Sequence, residues 1–510
     1  MTKWKLLTGA VLAALALSSA PLAHAGSAQP APLSQSDRAT AQAILSQGMA
    51  KLHSKNFKGA EEDFRAIINN PKFPQQSEQV RYFTYCVLAA AERMNGENQA
   101  AYDNLTLAGQ ASPGSRESHY WFSMMDATFQ LDKADALADT VTELAKNYPD
   151  KLNAGDDGSW WPQVVRKVRL GADPLHYQLM LEAFRTADYH PTDPFVSNEY
   201  IARELVQVYA DTGKDAAAQA LSATLVKPYS ILSFQVDKRY SRFAPAGVDR
   251  YAKALDDEVV KDRALAEAHP DLIEGAQNLA QGLLADNKPE DALSVVDAAI
   301  AKAATGTKDH PAYTDLDRYL NWTLDTRRRV LVALGRWDEA IAAQIKARDA
   351  AKDDMVSQKI NLADLYYEVG RPKDALAELK DFDRKDATSY GVMAAEEARG
   401  CAYAQLGDKA SLTASLDYMK AHATDGYGAL ISVLTCAGDV DALTAMVVKR
   451  LDDPEERNAA LVDLQIFQPN PHLTDWDRKM VAVHDQVAAR PEVRAAVEKY
   501  GVINTYPTMH

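Results

Sequence analysis

Cysteine is scarce in this chain: three residues in 510, at positions 86, 401 and 436. The number is too small and too odd for the disulfide frameworks that staple small secreted domains, so all three are expected as small buried hydrophobes. Positive charge is also in deficit, with 56 Lys and Arg against 71 Asp and Glu and a formal net charge of −15. Nucleic-acid phosphates and anionic membrane faces would be repelled, which excludes both as partners. Beyond the first 25 residues no apolar run reaches the roughly 20 residues that a bilayer span requires, so direct membrane insertion is excluded as well. Recognisable catalytic motifs are lacking too. There is no phosphate-cradling glycine loop, no His-Glu-x-x-His zinc pair and no Gly-x-Ser-x-Gly nucleophile elbow. The histidines are scattered without ligand spacing, which leaves no metal site and no cofactor. Adjacent carboxylates such as Asp256-Asp257 and Glu396-Glu397 point about 100° apart on a helix, and so do not form an opposed acid and base.

The chain does carry an address. Lys3 and Lys5 precede an apolar run from Leu6 to Leu17, and a small-residue ending, Ala23-His-Ala25, precedes Gly26. This is the layout of a secretory signal peptide at 1–25, cleaved after Ala25, and no cysteine follows the cut to accept a lipid. An exported, periplasmic protein is expected. Loss of the leader lowers the basic residues to 54 against 71 acidic ones, a formal charge of −17 that fits solvated outer helix faces. Residues 26–36 are rich in Pro, Ala, Ser and Gln without period, and read as a flexible leader.

A recurring unit organises the rest. Turn glycines Gly335, Gly370, Gly407 and Gly438 follow one another at steps of 35, 37 and 31 residues. Around Gly370 the string Asn361 to Leu379 reads as helix, turn, helix, with Ala375 five residues past the glycine just as Ala340 lies five past Gly335. Self-similarity at this period means a stack in which no unit buries its apolar face alone. Earlier, weaker units turn at Gly96 and Gly213, and a degenerate first unit lines Phe57, Ala60, Phe64 and Ile67 on one helix face. The expected domains are helical repeats at 37–225, an irregular connection at 226–251, a stronger array at 252–450, and closing helices with a tail at 451–510. Those closing helices would cover the exposed end of the stack. Cys401 and Cys436 fall on the first helices of successive units. Counted from their turn glycines they stand about one helical turn apart in level, which argues against a bridge that tolerates Cα separations only to roughly 7 Å.

The string Leu362, Ala363, Tyr366, Gly370, Ala375 and Leu379 resembles the tetratricopeptide repeat. Its neighbours match in part: Leu412 replaces an expected alanine, and Arg327 falls where an apolar residue belongs. The resemblance covers about nine units and implies an all-α, right-handed α-solenoid, a superhelix of stacked repeats. It also implies that first helices line a concave groove used to bind protein or peptide. Carried over by position, the groove contains Asn278, Gln281, Trp322, Arg329, Asp364, Tyr367 and Glu368. Trp322 and Arg329 lead, since Trp and Arg dominate interface energetics. Where some family members clamp a peptide carboxylate with Lys and Asn, this chain has Asp364 and Glu397. The expected function is a non-enzymatic periplasmic adaptor for cell-envelope proteins. The alternative is an exported all-helical carbohydrate-active enzyme, of glycoside hydrolase or peptidoglycan lyase type.

Overall fold

The computed structural model describes residues 35–153, 158, 160–244, 247–307, 309–352 and 355–506. The signal peptide expected at 1–25 lies outside the described residues, as does nearly all of the stretch at 26–36.

The described chain is built from helices. In order they are α1 (Gln35–His53), α2 (Phe57–Ile68), α3 (Glu78–Met94), α4 (Asn98–Ala111), α5 (Ser118–Gln130), α6 (Ala134–Asn147), α7 (Pro149–Asn153), α8 (Trp161–Gly171), α9 (Pro174–Thr186) and α10 (Glu199–Asp211). After these come α11 (Asp215–Ser222), α12 (Pro228–Val236), α13 (Val248–Ala268), α14 (Ile273–Ala285), α15 (Pro289–Ala303), α16 (Leu316–Ala333), α17 (Trp337–Ala350) and α18 (Met355–Glu368). The last are α19 (Pro372–Glu378), α20 (Ser389–Leu406), α21 (Lys409–Ala421), α22 (Tyr427–Ala437), α23 (Val440–Asp452), α24 (Arg457–Asp463), α25 (Asp475–Ala489) and α26 (Pro491–Tyr500). Contacts divide the chain into two compact units, residues 1–208 and 209–510. Each is an all-α stack of tetratricopeptide-like helix pairs.

The pairs share one turn chemistry. A left-handed residue stands between the two helices at Lys55, Gly96, Asp132, Gly213, Asn287, Gly335, Gly370, Gly407 and Gly438. In the last two the amide of the next residue, Asp408 or Asp439, donates to the carbonyl five residues back, Tyr403 or Leu434, at 3.0 Å. That bond satisfies a carbonyl the first helix leaves orphaned. The same aspartates then cap the second helix, accepting from the amides of Ser411 and Ala442.

No pair owns its core. In the first unit one apolar cluster joins Ala60 and Phe64 of α2 to Val87, Leu88 and Ala91 of α3. In α6 the stripe Leu137, Val141 and Leu144 is fully buried, each side chain contributing about 2 kcal/mol relative to exposure. A polar network lies beneath this packing. Glu92, its side chain 0% exposed, takes Arg65 at 2.7 Å and Asn104 at 2.8 and 3.0 Å, and Arg65 also meets Glu61 at 2.7 Å. Burial lifts the Glu92 carboxyl to about 7, against the pull of Asn104 and Arg65.

In the second unit, Val259, Leu279, Leu283, Val296 and Val330 draw four helices, α13 to α16, into one cluster, and Leu331, Ala340, Ile341, Leu362 and Leu365 pass the core on to α18. Arg327, the polar departure from the repeat pattern, pairs with Asp297 of α15 at 2.5 Å and so still ties adjacent pairs together.

Two features depart from the sequence reading. First, Cys401 and Cys436 are bridged, with Cα atoms 5.2 Å apart. Counting from the turn glycines misjudged their level, because the 31-residue step from Gly407 to Gly438 is short and the helix contact sets the register instead. At that contact Gly400 of α20 meets Val433 of α22 so closely that an added Cβ would stand 2.6 Å from a Val433 methyl. Only Cys86 is left as a free thiol. Second, the C-terminal part of the second unit folds back on its beginning. Helices α25 and α26 pack on α22 and α23. The tail after α26 then pairs with α12: the Val502 amide donates to the Val236 carbonyl and the Lys238 amide to the Tyr500 carbonyl, each at 3.0 Å. Tyr506 seats against Tyr251 of α13 and stacks on Phe467. Between residues 226 and 251 the chain forms α12, a short 3-10 turn at Ser241–Phe243 and the start of α13.

Candidate functional site

The first helices of the second unit, α14, α16, α18, α20 and α22, carry a row of polar side chains, a polar ladder, that runs from one to the next. Gln281 of α14 donates to Thr326 of α16 at 3.1 Å. Asp325 of α16 accepts from Asn361 of α18 at 3.2 Å and pairs with Arg328 at 2.7 Å. Asp364 and Glu368, one turn apart on α18, face Glu397 of α20 electrostatically, and Glu397 in turn takes a hydrogen bond from Ser432 of α22.

Charge is concentrated on the α18 and α20 rungs. Burial first, then Glu397 and Glu368, push the Asp364 carboxyl well above its usual range, with Arg328 pulling the other way. Glu368 is lifted to about 7 by burial, against Arg328 and with Asp477 and Glu397. Burial also raises Glu397. Arg328 is already committed to Asp325, and the Asp364 Oδ1 atom is shielded from solvent with no hydrogen-bond partner. A shielded acceptor in that state costs about 1–3 kcal/mol, which a cationic or donating partner would recover.

Of the seven expected groove residues, Arg329 is exposed, and Asn278, Gln281, Trp322, Asp364 and Glu368 are half-buried. Tyr367 is 8% exposed and belongs to the apolar core, so it packs instead of facing a partner. Gln281 spends its amide on the ladder. Trp322 and Arg329 lie seven residues apart on α16, two turns along one face. Arg329 forms no ion pair among the described residues, and burial by surrounding protein together with Arg328 holds its guanidinium below the usual value although its surface meets water. The chain's own segment after α24 also runs past these helices. Gln468 receives Asn287 at 3.2 Å, Asn470 reaches the Val332 carbonyl at 3.5 Å, and His472 lies against Gly335.

The sequence reading did not reach Asp325, Arg328, Asn361 and Ser432. Their signal was available as polar residues recurring at about one repeat length on first helices, 36 residues from Asp325 to Asn361 and 35 from Glu397 to Ser432. Apolar periodicity does not detect such a ladder. Among the described residues no cluster of His, Cys, Asp and Glu is arranged to hold a metal ion, and no helix is long and apolar enough to cross a membrane.

No family model matches the chain, and a search of curated proteins finds no match to it. Among solved structures it is similar to the crystal structure of a Rap protein complexed with competence and sporulation factor, at 11% identity and a TM-score of 0.28, over 88% of this chain and 99% of that one. It is also similar to the crystal structure of yeast Tom70, at 13% identity and a TM-score of 0.23, over 91% of this chain and 100% of that one. At those scores the fold assignment rests on the helix pairs themselves.

Proposed function

We propose that this protein is a non-enzymatic adaptor of the cell envelope that holds partner proteins against the first helices of its second unit. The observation that carries the reading is the unbalanced ladder. A shielded Asp364 oxygen without a donor, beside Glu368 and Glu397, leaves polar work undone that a partner segment would complete. The exposed Arg329 and the half-buried Trp322 supply anchors of the types that dominate interface energy. A stack held rigid by its packing also loses little conformational freedom when it binds. Export is supported by the leader-like residues 1–25 and by the Cys401–Cys436 bridge, since such bonds persist in oxidising compartments and are rare in the cytosol.

The test is capture from envelope extracts with the wild-type chain and with Trp322→Ala combined with Arg329→Glu, checking helicity by circular dichroism. The double variant is expected to stay folded and lose partners whose interaction the wild type retains. Recovery of the same proteins by both versions refutes the assignment of this face.

A further inference from the structure

Away from the ladder, the second unit holds a pocket of about 410 Å³ between the end of α19, one face of α20 and the start of α21. Its volume falls within the range of small-molecule sites. At its floor lies the Glu396 carboxylate, 4% exposed, which accepts from Arg384 at 3.1 Å, Arg399 at 3.2 Å and Ser415 at 2.9 Å. Both guanidiniums are also held from elsewhere. Arg399 donates to the Leu379 carbonyl at 2.9 Å, and Arg384 lies 3.8 Å above the Tyr418 ring. Lys380 also lines the pocket, exposed and with no ion pair among the described residues, and the Tyr403 hydroxyl has no hydrogen-bond partner there either.

Three cations around one carboxylate leave two positive charges uncompensated, in a chain whose net charge is −15. A single guanidinium would suffice to balance Glu396, so neutralising that carboxylate does not account for the other two. Pre-set guanidinium forks suit tetrahedral and planar oxyanions, and a phosphate monoester carries about −1.5 to −2 at neutral pH. The remaining lining is mixed, with Leu376, Leu379 and Ala414 apolar and Ser411 carrying a hydroxyl, and the space exceeds what a bare phosphate fills.

We propose that this pocket binds a small organic phosphate monoester, with its phosphoryl group on Lys380, Arg384 and Arg399 and its organic part against Leu376 and Ala414. The full chain would be titrated calorimetrically with phenyl phosphate, with inorganic phosphate, and with sodium chloride at matched ionic strength. The expected result is saturable one-to-one binding of phenyl phosphate, weaker binding of inorganic phosphate for want of the apolar contact, and none of chloride. Lys380→Met, at an exposed position that leaves the fold intact, is expected to weaken phenyl phosphate by about tenfold, and Arg384→Met by at least as much. Absence of saturable phenyl phosphate binding into the millimolar range overturns the proposal. So does affinity unchanged in Lys380→Met, or inorganic phosphate binding as tightly as the ester. None of these outcomes bears on partner capture by the first helices, which is read separately.

Discussion

Reducing the Cys401–Cys436 bridge removes no atom of the packing, so it isolates what the covalent link contributes to the last repeats. The bond closes a loop of 35 residues, for which the chain-entropy relation gives about 4 kcal/mol, an upper figure because native strain and residual denatured structure both lower it. The cost should appear locally, in α20 to α24, as faster amide hydrogen exchange of those helices in reduced protein than in oxidised protein. A guanidinium titration of the two forms supplies the free-energy difference. Thiol counting provides the control. Burial pushes the Cys86 thiol up to about 12, so native oxidised protein should react slowly or not at all. Denatured without reductant it should yield one thiol, and after reduction three. Three thiols in the unreduced denatured protein would refute the bridge. Identical exchange in both forms would refute the claim that it stabilises these repeats.

Two further outcomes follow from packing and charge. Gly400→Leu forces side-chain atoms into Val433 at the close contact of α20 with α22 and is expected to cost about 1–3 kcal/mol in urea denaturation. In the first unit, Glu92 has its folded pKa raised from 4.5 to about 7, so the folded carboxyl keeps a proton that the unfolded one has lost. Stability should therefore fall as pH rises from 4.5 to 7, by on the order of 3 kcal/mol from this group, and Glu92→Gln should flatten that slope.

The helix pairs whose turn residue is glycine announce themselves most plainly in the sequence. Gly96, Gly213, Gly335, Gly370, Gly407 and Gly438 all adopt the left-handed conformation that only glycine enters without strain. Lys55, Asp132 and Asn287 occupy the same position in other pairs, at φ of 63°, 54° and 59°, so those pairs show in apolar stripes such as Phe57, Ala60, Phe64 and Ile67 and not in the turn residue. Around Trp160 and Trp161 the repeat spacing lapses. There α8 and α9 are organised by an aromatic cluster, Trp161 against Phe184 at 5.0 Å and Tyr189 at 6.2 Å, and not by the small-residue spacing of the repeat. At the site, positions on first helices were legible from the repeat register, which placed Asp364, Glu368, Trp322 and Arg329. What each side chain would spend its hydrogen bonds on was not, because that depends on neighbours about one repeat away in sequence.

The return of the tail to α12 sets a condition on biosynthesis. Stacked repeats ordinarily assemble from near neighbours, each pair docking as it emerges, but Lys238 finds the backbone of Glu498 only across 260 residues. At typical translation speeds that interval lasts on the order of tens of seconds. Throughout it, α12 would present Ile231, Leu232, Phe234 and Val236, all buried in the finished molecule, without the segment that finally covers part of them. Completion of the α12 contacts therefore waits for the segment around residues 498–502. Shortening the C-terminus should therefore harm yield more than it harms any single contact.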